Sequence, residues 1–261
     1  MRMTSEANPS DASTASGRLA SAPALVMLHG FALDSRMWRR QVDAFSSDYR
    51  ILTLDLPGFG PQARELGEVD LAASVLVALD VAKIDRAHFV ANSFGAAVAA
   101  DFALQHPERV RSLTLSGPLL LGRRTGIEAW PRCVSLAAEG DRATAAEIWL
   151  DDPLFEGLRH DEELFEELRQ IVLDYGGGHW TGRVSSKWSD PDPVPSLRKL
   201  DIPSLIISGE MDIPSFMMMA EAYARTLPRA RREIIQGAGH LANIERPDEW
   251  NALLRDFLKK L

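Results

Sequence analysis

Cysteine is almost missing from this chain: Cys133 is the only one in 261 residues. An intramolecular disulfide is therefore excluded, which fits a reducing, cytoplasmic compartment, and Cys133 reads as a small core filler rather than a nucleophile. No Cys/His spacing suits zinc and no Gly-rich loop matches a nucleotide-binding P-loop. Positive charge is in the minority, with 29 Lys and Arg against 37 Asp and Glu, a formal charge of -8. There is no basic arm, so neither nucleic acid nor an anionic membrane is an expected partner. No apolar run is long enough to span a bilayer. The opening "MRMTSEANPSDASTASGRLASA" lacks the apolar h-region of a secretory signal. Residues 1–18 are expected to form a disordered tail, with a weak transit-like segment as the alternative. No internal repeat is present.

What is there is an alternation. The runs "ALVMLH" (24–29), "RILTLD" (50–55), "AHFVAN" (87–92), "RSLTLS" (111–116), "PSLIIS" (203–208) and "RREII" (231–235) read as strands. Most are rich in Leu, Ile and Val on both faces, as expected for a parallel sheet covered by helices on each side. Between them lie helical patterns: "SRMWRRQVDAFSS", "VDLAASVLVALDVAK", "FGAAVAADFALQH", "SFMMMAEAYARTL" and "PDEWNALLRDFLKKL". The last opens on Pro247, Asp248 and Glu249 and closes on Lys259 and Lys260, which suits both ends of the helix dipole. Strand alternating with helix predicts an α/β fold with a mostly parallel, doubly wound sheet. The alternation breaks between Pro118 and Pro195, where acidic and aromatic helical segments intervene. Residues 118–195 are therefore expected to form an inserted helical cap, and residues 19–117 with 196–261 the core.

Ligands of open α/β sheets bind beyond the carboxyl ends of the strands. At one such end, Ala91-Asn92-Ser93-Phe94-Gly95 is a variant of the G-x-S-x-G nucleophile elbow, with Ala for the first Gly. Small residues flank the serine because strand and helix backbones nearly touch at this corner. The bland alternative is a plain strand-to-helix turn capped by a serine.

A serine hydroxyl needs a base within reach, and the base needs an orienting acid. Six histidines compete. His106 lies at a helix end before Pro107, His88 in a strand, and His160 in a charged segment. His240, on the Gly-Ala-Gly loop after the last strand, is the best candidate for the base. The acid is expected from "LIISGEMDIPS", with Asp212 preferred over Glu210, which lies closer to the strand end. Each of the three then follows a different strand. An acyl-transfer site also needs backbone N–H donors for an oxyanion, and Phe94 and Phe31 of "MLHGFALDS" are placed to supply them.

With these residues assembled, the chain resembles the α/β-hydrolase superfamily from about Ala24 to Leu261. The likeness is carried by "LHGFALDSRMW", "DLPGFG", "VANSFGAAVA", "HPERVRSLTLSGP", "ISGEMD" and "GAGHLANIERPDEWNALLRDFL". Their form is most similar to small bacterial carboxylesterases and lactonases, including the 3-oxoadipate enol-lactonase type. The resemblance implies Ser93 as nucleophile, His240 as base and then acid, Asp212 as orienter, and no metal or organic cofactor. Three departures stand out. Ala91 replaces a glycine, "GFGPQ" lacks the serine that often follows that loop, and there is little room before Ala24 for the two leading antiparallel strands. An N-terminally shortened sheet is expected, with at most one strand from the preceding segment.

The expected substrate is a modest ester or lactone in an apolar pocket, with a homo-oligomer left open. Most cap aromatics (Trp130, Trp149, Phe155, Trp188) read as the cap's own core. His179 and Trp180, after three glycines, are the pair expected to face the pocket, with His29 beside the oxyanion loop as a further substrate contact. Two alternatives are carried. One is a C–C bond hydrolase of the meta-cleavage type, disfavoured because Leu241 rather than Trp follows the histidine. The other is a non-catalytic ligand-binding protein on the same fold.

Overall fold

The six apolar runs become six strands of one sheet. The computed structural model describes residues 22–60 and 67–261. The expected tail (1–18), any strand preceding Ala22, and Pro61-Gln62 of "GFGPQ" lie outside them. The strands are β1 (Ala24–Leu28), β2 (Arg50–Leu54), β3 (Gly67–Asp70), β4 (Ala87–Asn92), β5 (Val110–Ser116), β6 (Val184–Lys187), β7 (Ser204–Gly209) and β8 (Ala230–Ile235). The main sheet has the order β2-β1-β4-β5-β7-β8 and every pairing in it is parallel. Its central strands β1, β4 and β7 are buried along their whole length, which is why they carry apolar or small residues on both faces. The edge strands β2 and β8 are half-exposed for most of their length. There Arg231 pairs with Glu233 and Asp256, a charged trim suited to an open sheet edge.

The helices are α1 (Arg39–Phe45), α2 (Leu71–Val81), α3 (Phe94–Gln105), α4 (Trp130–Ala138), α5 (Arg142–Leu150), α6 (Glu162–Asp174), α7 (Val194–Leu197), α8 (Pro214–Thr226), α9 (Ala242–Glu245) and α10 (Pro247–Leu258). In α10 the residues Trp250, Leu254, Phe257 and Leu258 recur on one face and are buried, the stripe that periodicity alone suggests. The Trp250 indole donates to Ser116 Oγ (3.1 Å), pinning α10 to the end of β5. Among the described residues no helix is long and apolar enough to cross a membrane.

The sequence pattern gave no sign of β3 and β6. "GEVD" and "VSSK" are short and mostly polar, and they pair in parallel as a separate two-stranded ribbon. Val69 and Asp70, expected to open a helix, instead end β3. Asp70 then caps α2 by accepting the Ala73 N–H (2.9 Å). Helices α4 to α6 and strand β6 all fall between β5 and β7. Ion pairs tie this inserted segment to the core: Arg36 to Asp174, and Arg39 and Arg40 to Glu167.

From β1 the chain steps outward to β2, then crosses back to β4 on the other side of β1. The connections at the carboxyl ends of β1 and β4 therefore diverge, and a crevice opens between them. Ser93 follows β4, and His29 to Phe31 follow β1.

Candidate active site

Ser93 sits between β4 and α3 with φ 50° and ψ -113°. A positive φ outside glycine costs on the order of 1–3 kcal/mol and persists only where the surroundings impose it. Here the Ser93 N–H donates to Ser116 O (2.9 Å), and the Ser93 carbonyl accepts from Ala96 (3.0 Å) and Leu119 (3.1 Å). Gly95 completes the corner: a Cβ there would lie 2.5 Å from both Leu28 O and His29 O. The elbow thus needs a glycine two residues after the serine because the β1 backbone passes against it.

Three side chains converge at this corner. Ser93 Oγ lies 2.9 Å from His240 Nε2. His240 Nδ1 lies 3.0 Å from each carboxylate oxygen of Asp212. With the Nδ1 proton donated to Asp212, Nε2 is left as acceptor of the serine O–H, the tautomer required of a general base. All three residues are at most 8% exposed. Asp212 Oδ1 also accepts the Ile213 N–H (2.8 Å), and the Phe216 ring meets the imidazole edge-on at 4.4 Å. Gly117, at φ +48°, leaves room for the ring: a Cβ there would stand 3.0 Å from His240 Nδ1. Glu210, the rival acid, points elsewhere and accepts the Gly237 N–H (3.1 Å).

The N–H groups of Phe31 and Phe94 have no hydrogen-bond partner among the described residues. Phe94 opens α3, whose first N–H groups have no intrahelical acceptor and carry the positive end of the dipole. Both phenylalanines also wall a cavity of about 210 Å³ that contains Ser93 and His240. Its other large walls are Trp130, Trp149, Phe155 and Phe216, and among the described residues no Asp, Glu, Lys or Arg lines it.

Not every expected contact reaches this cavity. His29 is fully buried with both ring nitrogens engaged: Nδ1–H donates to Gly30 O (2.8 Å), and Nε2 accepts the Leu56 N–H (2.9 Å). It braces the loop that carries Phe31 and is absent from the cavity walls. His179 and Trp180 also stand outside those walls. The His179 ring stacks on Phe59 at 4.4 Å and its Nδ1 lies 3.1 Å from Tyr175 Oη. Trp180 packs behind Trp149, 6.0 Å away. Trp130, Trp149 and Phe155, read from sequence as the cap's interior, take the wall positions. An aromatic residue in a helical stripe looks the same whether it faces its own subdomain or a void, so nothing local separated the two groups.

Burial depresses three imidazoles. His29 is held below the usual histidine value; His88 is held at about 4 by burial and then by the charges of Arg111 and Arg86; His179 is held at about 4 by burial and then by His29. Each stays neutral in the fold while its unfolded counterpart gains a proton below about 6.5, so stability is intact above that pH and is lost as the pH falls, for His88 and His179 down to about 4. For His88 alone the loss at pH 5 is about 2 kcal/mol relative to neutral pH. Urea unfolding at pH 7 and pH 5 should show His88→Asn losing less stability than wild type by about that amount. Equal losses would mean that His88 gains its proton while folded.

A family model described as alpha/beta hydrolase fold matches residues 23–247. The chain is 32% identical over 260 residues to the 2-hydroxy-6-oxononadienedioate/2-hydroxy-6-oxononatrienedioate hydrolase of Burkholderia vietnamiensis, covering 91% of this chain and 87% of that protein. It is 28% identical over 248 residues to carboxylesterase YbfK of Bacillus subtilis, covering 91% and 80%. A malate-bound structure of a thermophilic esterase from Thermogutta terrifontis is similar with a TM-score of 0.77 at 26% identity, covering 92% of this chain and 90% of that one. With a family match across most of its length and hydrolases among its relatives, the chain belongs to the alpha/beta hydrolase fold family.

Proposed function

We propose that the protein is a serine hydrolase that cleaves small, uncharged carboxylic esters or lactones through an acyl-enzyme on Ser93. The observation that carries this reading is the line from Asp212 through His240 to Ser93 Oγ, ending in an apolar cavity. His240 Nε2 takes the hydroxyl proton as Ser93 Oγ attacks the carbonyl carbon. The resulting oxyanion is held by the N–H groups of Phe31 and Phe94, each worth roughly 3–4 kcal/mol to such a transition state. The intermediate collapses with cleavage of the C–O bond, and the imidazolium returns the proton to the leaving oxygen. A water then gives a proton to His240 and attacks the acyl carbon; Ser93 leaves with that proton and the acid is released. With a lactone the alcohol and acid belong to one product. A reducing compartment such as the cytoplasm suits the single cysteine, which is free and buried.

The similarity to a hydrolase of a nonadienedioate supports a second reading, cleavage of a C–C bond in a dicarboxylate. The cavity weighs against it. Among the described residues its wall offers no cation, and a carboxylate brought among aromatic rings without one loses hydration worth several kcal/mol. The two readings separate in one measurement. The chain should turn over p-nitrophenyl butyrate with kcat/KM about 100-fold above that for p-nitrophenyl hemisuccinate, whose acyl end is charged. A fluorophosphonate probe should add one label, located on Ser93 by intact mass and peptide mapping. Preference for the charged ester, or no labelling, would reject the proposal.

A further inference from the structure

Beyond the three reacting side chains, the loop that carries His240 is held by a carboxylate to which no role has been given. Glu245 lies in α9 and reaches back to accept two backbone N–H groups, that of Gly239 through Oε2 and that of Leu241 through Oε1 (3.1 Å). These two residues bracket His240. No Lys or Arg among the described residues forms an ion pair with Glu245. Burial pushes its carboxyl above the usual range, against the pull of the two N–H groups and of His240 and with a further push from Asp212. A group kept there at that cost has little freedom to be elsewhere, because its two N–H partners would otherwise be left without acceptors.

The other side of the carboxylate is closed by the inserted segment. Gly157 lies in the short 3-10 helix Pro153–Leu158. A Cβ added to it would fall 2.0 Å from Glu245 Oε2 and 2.6 Å from Cδ. Its φ lies outside the left-handed region, so the backbone itself would accept alanine; the obstacle is Glu245. The same helix supplies Leu154 and Phe155 to the cavity wall. One element therefore forms the acyl pocket on one side and bears on the carboxylate behind the histidine on the other.

Resting on the serine-hydrolase reading above, we infer that Glu245 is a positioning residue for the base His240, and that the bare backbone of Gly157 seats the inserted segment against it. The pocket wall and the aim of the imidazole are coupled through this contact. A displaced wall would push Glu245, loosen the Gly239 and Leu241 N–H groups, and misaim Nε2. Misplacement of a reacting group by about 1 Å costs as much as 10²-fold in rate.

A double-mutant cycle tests this with p-nitrophenyl butyrate as substrate. Gly157→Ala should lower kcat about tenfold and leave KM within about twofold, since the pocket remains but the base is misaimed. Glu245→Ala should lower kcat by roughly 10- to 50-fold with the same KM, and Glu245→Gln, which keeps one acceptor oxygen, by less. In the Glu245→Ala background, Gly157→Ala should have no further effect, because the carboxylate it strikes is gone. The rate of fluorophosphonate labelling of Ser93 should follow kcat through the cycle. If Glu245→Ala does not fold, Glu245→Ser, which has no reach to either N–H, closes the same cycle. Equal losses from Gly157→Ala in both backgrounds would overturn the inference, as would a Glu245 variant with wild-type kcat and only a lowered Tm. A Ser93→Ala control separates the two ideas: activity surviving in that variant rejects the hydrolase reading, whereas an additive cycle with an inactive control rejects the coupling alone.

Discussion

Ser93→Ala is expected to lower kcat for short p-nitrophenyl esters by roughly 10⁴- to 10⁶-fold, with the fold and Tm intact. On the acyl-enzyme proposal the hydroxyl is the atom that forms the acyl bond. Its removal deletes one small group from a corner that backbone hydrogen bonds hold without it. Asp212→Asn should cost about 10⁴-fold, for a different reason. An amide opposite Nδ1 favours the tautomer with its proton on Nε2, so the imidazole would face Ser93 as a donor rather than an acceptor. On the same proposal serine, histidine and acid act as one unit, so combining the two substitutions should cost little more than Ser93→Ala alone. Steady-state kinetics on the three variants check this. A Ser93→Ala protein with more than about a hundredth of wild-type activity would mean that the chemistry lies elsewhere.

Gly209→Ala is expected to be among the most damaging single substitutions for the fold. An added Cβ would stand 2.1 Å from Gly239 O and 2.2 Å from Ala238 O. These are backbone atoms, which cannot swing away as the end of a side chain can. The strain should cost about 3 kcal/mol or more, a fall in Tm of roughly 10 °C for a chain of this size. The damage should extend to catalysis. Gly209 ends β7 three residues before Asp212, and Gly239 directly precedes His240, so pushing these backbones apart stretches the pair that must stay 3.0 Å apart. A loss of about 100-fold in kcat is expected in whatever folded protein remains. Gly140→Ala is the control for steric clash. Unlike Gly209 it has a positive φ, +89°, but a Cβ there meets nothing within 4 Å. It should lose about 1–2 kcal/mol and no activity. Comparable Tm values for the two variants, from thermal melts followed by circular dichroism, would contradict the argument.

Much of this molecule could be read from the order of its residues. Buried strands of a parallel sheet must be apolar on both faces, so β1, β4 and β7 announced themselves as short unbroken runs. The ends of those runs marked where reactive side chains could gather. Ser93, Asp212 and His240 were legible as candidates because each is a polar residue in a loop that follows a strand, with small residues beside Ser93 and His240. The ribbon of β3 and β6 was not legible: four mostly polar residues carry no periodic signal, and their pairing depends on where the inserted segment comes to rest. Nor could the pocket walls be assigned. His179-Trp180 looked freer than Trp149 after its three glycines, yet Trp149 faces the void and Trp180 stands behind it.

Local chemistry thus determined the fold class, the six strands of the main sheet, and which hydroxyl, imidazole and carboxylate could be brought together at its carboxyl edge. Only the tertiary structure decided their distances: it brought residues 147 positions apart to 2.9 Å and set Gly157 of the inserted segment against Glu245. The reason is physical. Propensity and periodicity act over a few residues along the chain, whereas convergence of loops, the lining of a void and the contact of two bare backbones depend on how whole layers pack.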